Sequence, residues 1–319
     1  MSKIIPFISQ ISAQEQLLWL EQLKTHLPDE TIAPISDLSS QQLQLCEIAI
    51  VANPDPQQLA LLPNLVWVQS LWAGVDSLVS HFSQSQFNQA KFNLARLIDP
   101  QLADTMAEAV LTWVLYFHRD MHIYATQQKN KQWLQHQYHL PSECSVGILG
   151  LGELGRKSAE RLLNNGFNVS GWSRCEKSIT GINCYSGEHG LHELAQQCQI
   201  IICLLPLTPN TRHLINDDFI KQLKKGSVII NFARGGIIDN VDLIANLNSH
   251  HLAHAVLDVF EQEPLDLNSH LWQQENITIL PHISAPTHCQ SASKIVADNI
   301  KNYRRCGYIP KCVDLVKGY

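Results

Sequence analysis

Three reactive side chains, Arg234, Glu263 and His282, stand at wide intervals in the second half of the chain, each just beyond a short apolar run. Arg234 lies in Asn231-Phe-Ala-Arg-Gly-Gly-Ile-Ile-Asp239, Glu263 in Leu257-Asp-Val-Phe-Glu-Gln-Glu-Pro-Leu265 and His282 in Pro281-His-Ile-Ser-Ala285. A guanidinium holds a carboxylate with paired bonds, an imidazole delivers a proton near neutral pH, and a carboxylate beside such a ring favours its charged form. Together they could hold a 2-oxo acid and protonate its oxygen as negative charge develops there. Separately they read equally well as a surface arginine, a solvated glutamate and a satisfied loop histidine. The chemical reading gains because all three fall where strands end, and ligands of parallel α/β sheets bind at strand C-termini.

A second constellation precedes them. Ser145 to Leu149 is a short apolar run expected to be a buried strand. Gly150, Gly152 and Gly155 follow with G-x-G-x-x-G spacing, and Arg156 to Asn164 reads as an amphipathic helix closed by Gly166. The first glycine suits a tight turn, the second lets backbone approach a pyrophosphate, and the third lets helix pack on strand. The helix N-terminus would face the anion. A strand from Phe167 to Trp172 should then end beside an adenosine ribose. An acidic residue there would favour NAD, but this chain has Ser173-Arg174-Cys175, with Arg174 roughly 20 residues beyond Gly155. A guanidinium and a hydroxyl suit a 2′-phosphate, so NADPH is favoured. Glu176 leaves NADH open, and the plain alternative makes Arg174 a solvated loop residue. With a nicotinamide cofactor beside it, the trio points to hydride transfer.

Elements must position these residues, and the pattern supplies them. The first hundred residues alternate strands (Lys3 to Ile8, Glu47 to Ala52, Val66 to Ser70, Phe92 to Arg96) with helices, the first opened by a capping box of Ser12 and Glu15 and running to about His26. Asp104 to about Gln135 reads as one long helix with Ala107, Val110, Leu111, Val114 and Leu115 on its apolar face. From Ser145, strands near 145–149, 168–172, 199–204, 227–232, 253–258 and 277–280 alternate with helices, the rhythm of a doubly wound parallel sheet. A last helix, Ala285 to Arg304, would return the chain to the first unit. The expected class is α/β with two Rossmann-like domains. A dinucleotide-binding domain at 103–287 is inserted into a discontinuous substrate-binding domain of 1–102 and 288–319.

A chain of 319 residues can bury two such cores. A net charge of −6 argues against a nucleic-acid footprint, and no apolar run reaches membrane-spanning length. Met1-Ser-Lys-Ile-Ile-Pro6 lacks the marks of a signal peptide. Nine cysteines with no C-x-x-C pair suit free thiols in the cytoplasm. The histidines at 136, 139, 250, 251 and 254 lack a ligand spacing with a third partner, so no metal site is expected.

On these residues the chain resembles the D-isomer-specific 2-hydroxyacid dehydrogenases, and more narrowly their bacterial glyoxylate/hydroxypyruvate reductase A branch. The resemblance spans nearly the whole chain. It rests on Ala73-Gly-Val-Asp76, Gly150-Leu-Gly-Glu-Leu-Gly155, Leu205-Pro-Leu-Thr-Pro209, Ala233-Arg-Gly235, Asp258-Val-Phe-x-x-Glu-Pro-Leu265, Pro281-His282 and the ending Val313-Asp-x-x-x-Gly318-Tyr319. Leu315-Val316-Lys317 departs from the more basic ending expected of the branch.

The resemblance implies that Arg234 binds the substrate carboxylate and carbonyl, His282 donates the proton and Glu263 orients the imidazole. It places Asp258 near the nicotinamide and Leu205-Pro206 against the adenosine, with Leu154, Ala233 and Ala285 as further cofactor contacts. Backbone N–H groups around Gly74 and Val75, next to Ala73, would complete the carboxylate site. Trp72 either walls the pocket or is core. The implied activity is NADPH-dependent reduction of glyoxylate to glycolate and hydroxypyruvate to D-glycerate, in a homodimer. The alternatives are another dehydrogenase of the family, of the D-lactate or phosphoglycerate type, or a nucleotide-sensing module without turnover.

Overall fold

A computed structural model describes residues 3–84 and 92–315. The C-terminal residues Val316 to Tyr319, part of the ending quoted above, lie outside the described residues. The chain divides into two compact units, Met1–Gln101 with Thr287–Tyr319, and Leu102–Pro286. Each is an α/β unit built on a wholly parallel sheet, and the second is inserted into the first.

The first sheet contains β1 (Ile4–Ser9), β2 (Thr31–Pro34), β3 (Ile48–Ala52), β4 (Trp67–Ser70) and β5 (Asn93–Ala95). Its order is β2-β1-β3-β4-β5. Alternate residues serve opposite faces. Ile5, Phe7, Ile48 and Ile50 pack under the helices Ala13–His26 and Cys289–Cys306, whereas Ile8, Ala49 and Val51 pack with Leu78, Val79 and Phe82. The capping box forms as expected, with Ser12 and Glu15 exchanging side-chain-to-backbone bonds. The returning helix is tied down by Arg304, whose guanidinium bonds both oxygens of Glu30 at 2.8 and 3.0 Å.

The second sheet contains β6 (Ser145–Leu149), β7 (Asn168–Ser173), β8 (Asn183–Ser186), β9 (Ile200–Cys203), β10 (Ser227–Asn231), β11 (Leu252–Leu257) and β12 (Ile277–Ile279). The order β12-β11-β10-β9-β6-β7-β8 makes β6 the strand from which the chain winds first one way and then the other. In such sheets the crevice beyond the C-terminal ends at that switch is the ligand site. Both faces are covered, Ile201, Ile229 and Ala255 on one side and Ile202, Ile230 and Val256 on the other.

Several expectations are corrected. Two strands were not expected, β2 and β8, and each is a short edge strand with little apolar sequence. The long helix of 104–135 is two helices, Pro100–His118 and Met121–Lys129. Asp120 takes a left-handed conformation (φ 54°) and breaks the run between them. Leu115, placed on the apolar face, is exposed, while Ala107, Val110 and Val114 are fully buried. The chain after Lys129 folds back, where the His136 N–H donates to the Tyr124 hydroxyl at 3.0 Å. The last helix begins at Cys289, capped by His288, four residues later than expected. Pro286 disfavours helix at Ala285, the residue before it.

Among the described residues, no group of three or more His, Cys, Asp or Glu side chains could hold a metal ion. His254 instead joins an aromatic cluster on β11, its ring 5.2 Å from Phe117 and 6.1 Å from His122, with Nε2 against Thr278 Oγ1 at 2.9 Å. Burial, and secondarily the His122 ring, push its pKa down from 6.5 to about 4. Because the folded value is depressed, the stability from neutral His254 is complete above pH 6.5 and is lost as pH falls toward 4. The melting temperature should therefore decline across that window, and His254→Gln should flatten the decline. Equal slopes for the two proteins would assign the acid sensitivity to other groups.

Candidate active site

The glycine turn begins as β6 ends. The Gly150 N–H donates to the Trp172 carbonyl at 2.8 Å, and Gly150 holds φ 105°, a conformation closed to other residues without strain. A Cβ on Gly155 would lie 1.8 Å from the Gly150 oxygen, so only glycine lets the helix Glu153–Asn164 seat on the turn. Gly152 differs. It is the helix N-cap, and a Cβ there would meet nothing within 4 Å. The helix N-terminus thus opens onto clear space where its unsatisfied N–H groups can take an anion, and these residues fit the pyrophosphate of a dinucleotide. Leu154 packs on the core under the turn, and a Cβ on Gly150 would lie 2.8 Å from the Leu204 carbonyl and 3.2 Å from the Leu205 nitrogen, which places Leu205 beside the turn. Leu205 and Ala233 are buried, and the Pro206 carbonyl accepts from Thr211 Oγ1 at 2.7 Å.

β7 runs one residue further than expected and ends at Ser173. The Ser173 hydroxyl is nearly buried and donates to the Cys175 carbonyl at 2.7 Å, so it offers a phosphate an acceptor unless that bond is given up. Arg174 is exposed on the loop that follows, as is Glu176. Lys177, not singled out from sequence, bonds the Leu151 carbonyl inside the glycine turn at 2.5 Å. A second cation therefore stands beside the turn. The signal was in the sequence, since Arg174 and Lys177 are the basic residues of one short loop.

Arg234, Glu263 and His282 lie beyond the C-terminal ends of β10, β11 and β12, on the same edge of the sheet as the glycine turn. Arg234 is extended (φ −148°), half-buried, and its Nη1 donates to the Ala233 carbonyl at 2.6 Å. The buried Asn231 side chain staples this turn, accepting from Ala233 N–H at 3.1 Å and donating to the Arg234 carbonyl at 2.9 Å. Glu263 accepts from the Phe260 N–H through Oε1 at 2.9 Å and faces His282 Nδ1 through Oε2 at 2.7 Å. With Nδ1 engaged by the carboxylate, Nε2 is the nitrogen left to serve a substrate. The His282 side chain is 54% exposed, so it is open to a small molecule.

Asp258 does something its spacing could not reveal. It is 1% exposed, and its two oxygens accept the backbone N–H groups of Ile283 and Ser284 at 2.7 and 2.9 Å. Its own carbonyl accepts the His282 N–H at 2.9 Å. This fixes the loop that holds His282 at φ 55°, a costly conformation for a non-glycine residue. The neighbouring Ser284 Oγ is buried without a partner among the described residues, and Ala285 packs on the core beside it.

The loop Ser70 to Asp76 belongs to the first unit. Leu71 is fully buried there. The Trp72 ring, read from sequence as pocket wall or core, packs edge-on against Trp19 at 5.7 Å with its indole nitrogen buried. Trp72 N–H donates to Ser70 Oγ, and its carbonyl accepts from Leu97. The ring therefore anchors Ala73 and Gly74, which are partly exposed, ahead of the buried Val75.

Known proteins resemble this chain in sequence and fold. Residues 111–284 match the family model for the NAD binding domain of D-isomer specific 2-hydroxyacid dehydrogenases. A glyoxylate/hydroxypyruvate reductase A from Yersinia enterocolitica is 35% identical over 302 residues, covering 94% of this chain and 96% of that one. Among solved structures, a D-isomer specific 2-hydroxyacid dehydrogenase from Xanthobacter autotrophicus Py2, in complex with NADPH and MES, superposes with a TM-score of 0.91 at 33% identity, covering all of both chains. An NADPH-dependent glyoxylate/hydroxypyruvate reductase from Sinorhizobium meliloti, in complex with NADP and sulfate, gives 0.89 at 28% identity, again over both whole chains.

Proposed function

Because this chain belongs to the D-isomer specific 2-hydroxyacid dehydrogenases, a family of NAD(P)-dependent oxidoreductases, we propose that it reduces small 2-oxo acids, glyoxylate to glycolate and hydroxypyruvate to D-glycerate, with NADPH as preferred donor. The observation that carries the reading is the His282–Glu263 pair at 2.7 Å, set on the strand edge that also presents Arg234. When bound, the reduced nicotinamide supplies the hydride. Arg234 grips the substrate carboxylate and carbonyl with its planar fork. His282 gives the Nε2 proton to the carbonyl oxygen as charge develops, and Glu263 holds the ring and balances its charge. Asp258 keeps His282 in place. In the first unit, the backbone of Ala73, Gly74 and Val75 is assigned to the substrate carboxylate, with Trp72 as their support. Gly150, Gly152, Leu154 and Gly155 take the pyrophosphate side of the cofactor, and Leu205, Pro206, Ala233 and Ala285 its flanks.

The substrates are those named for the Yersinia and Sinorhizobium relatives. Preference for NADPH is supported by Arg174 and Lys177 at the end of β7, where no carboxylate stands on the strand terminus itself. With purified protein, activity should fall in the order glyoxylate or hydroxypyruvate, then pyruvate, then phenylpyruvate. Arg174→Asp should lower the NADPH/NADH ratio of kcat/KM by about ten- to hundredfold, the worth of a lost hydrogen bond to a charged group. Phenylpyruvate as best substrate would refute the substrate assignment, and an unchanged ratio would make Arg174 a solvated loop residue.

The exposed side chains of Trp133, Leu134, Tyr138 and Leu140, gathered in one segment, support a homodimer, since clustered exposed apolar residues favour a partner. The nine cysteines are all free, which suits the reducing cytoplasm. Among the described residues no helix is long and apolar enough to cross a membrane. A monomer by sedimentation, or recovery of the protein outside the cytoplasmic fraction, would remove the corresponding part of this reading.

A further inference from the structure

The turn carrying Arg234 and the loop carrying Glu263 meet backbone to backbone. A Cβ on Gly235 would lie 2.1 Å from the Phe260 carbonyl carbon and 2.3 Å from the Glu261 nitrogen. Here a third segment, following β9, crosses both. Arg212 Nη1 reaches Glu261 Oε1 at 2.7 Å, passing over Gly236, where a Cβ would stand 3.3 Å from that nitrogen. The same Glu261 oxygen lies 3.7 Å from His213 Nε2, and His213 Nδ1 lies 3.5 Å from Asp239 Oδ2. The His213 N–H donates to the Gly236 carbonyl at 2.9 Å, and the residue holds φ 51° to do so. A non-glycine residue in that conformation is kept there by its surroundings. Just beyond, Ile215 and Ile237 continue the join through backbone bonds, as Ile215 N–H donates to the Ile237 carbonyl at 3.0 Å.

We propose that Arg212, seconded by His213, is a positioning residue that clamps the Glu263 loop to the Arg234 turn through Glu261. The roles given above to Arg234, Glu263 and His282 are its premise. Arg212 and Glu261 are half exposed, and exposed ion pairs add little to stability. Their use is registration. Glu261 sits two residues before Glu263 in the same loop, next to Phe260, whose N–H holds Glu263 Oε1. Releasing Glu261 therefore frees the carboxylate that aims His282, while leaving the glycine turn and its helix untouched.

The clamp is tested by kinetics of Arg212→Ala, Glu261→Gln and the charge swap Arg212→Glu with Glu261→Arg, alongside His282→Ala. Arg212→Ala should lower kcat for glyoxylate by about ten- to hundredfold, the scale of a small misplacement of catalytic groups. NADPH affinity should stay within about twofold and the melting temperature within about 3 °C, as expected for a surface pair. The isotope effect with NADPH deuterated at the nicotinamide C4 should rise, because the chemical step becomes slower. Glu261→Gln should reproduce this if Arg212→Ala proves insoluble, and the charge swap should recover most of the loss. The clamp is refuted if kcat stays within twofold, if the loss merely follows a fall in melting temperature, or if the swap gives no recovery while His282→Ala abolishes turnover. If His282→Ala is itself fully active, the premise about the site fails instead.

Discussion

His282→Ala should lower kcat by roughly 10²–10⁴-fold, the range of general acid catalysis, while NADPH affinity is nearly unchanged. The ring touches the rest of the fold through little besides Glu263 and is 54% exposed, so its loss leaves no cavity in the core. The left-handed backbone at His282 is held by Asp258 through main-chain N–H groups, which alanine retains. The dinucleotide turn is built from β6, β7 and the helix after Gly152, and the ring's hydrogen bond among the described residues goes instead to Glu263. The expected signature is therefore a folded protein that binds cofactor and scarcely turns over. A kcat within a few fold of the parent would assign the proton to another group or to water. Glu263→Gln should be milder because the proton donor itself is kept, although the amide has one oxygen for two donors, so the Phe260 N–H or the His282 Nδ1–H loses its acceptor together with the charge.

Arg234→Lys should cost on the order of 10²–10³ in kcat/KM for 2-oxo acids, the worth of about two charged hydrogen bonds. Lysine keeps the charge but offers no planar fork, so it cannot bond carboxylate and carbonyl together. The Arg234 backbone is fixed by Asn231 and by the contact of Gly235 with the 260–261 peptide. A lysine therefore starts from the same place, and the difference reports the head group. Binding of NADPH in the absence of substrate should be unaltered. A variant within threefold of the parent would mean that another residue holds the carboxylate.

Legibility followed the range of the interactions. The glycine turn is local: strand, turn and helix lie within one short stretch, and the fold of Gly150, Gly152 and Gly155 follows from it. Arg234, Glu263 and His282 could be placed at strand ends because β10, β11 and β12 are apolar runs that sequence patterning finds. The edge strands β2 and β8 have one covered flank and no such run, so they leave no pattern. The helix break at Asp120 has neither glycine nor proline to announce it, only an aspartate, a residue that tolerates the left-handed region without requiring it. Asp258 and Arg212 act on partners 25 and 49 residues away, and no periodicity encodes such pairs. Lys177 shares its short loop with Arg174, so its charge is legible there, but its bond to the Leu151 carbonyl spans 26 residues and is not.

The most direct test follows the hydride itself. The purified chain is incubated with glyoxylate and NADPH carrying deuterium on the transferable C4 position, and the glycolate formed is weighed by mass spectrometry. Hydride transfer at this site predicts that NADPH is consumed one for one with glyoxylate and that the glycolate carries one deuterium on C2. Glycolate without the label, or NADPH left unoxidised by glyoxylate and hydroxypyruvate alike while still bound, would contradict it.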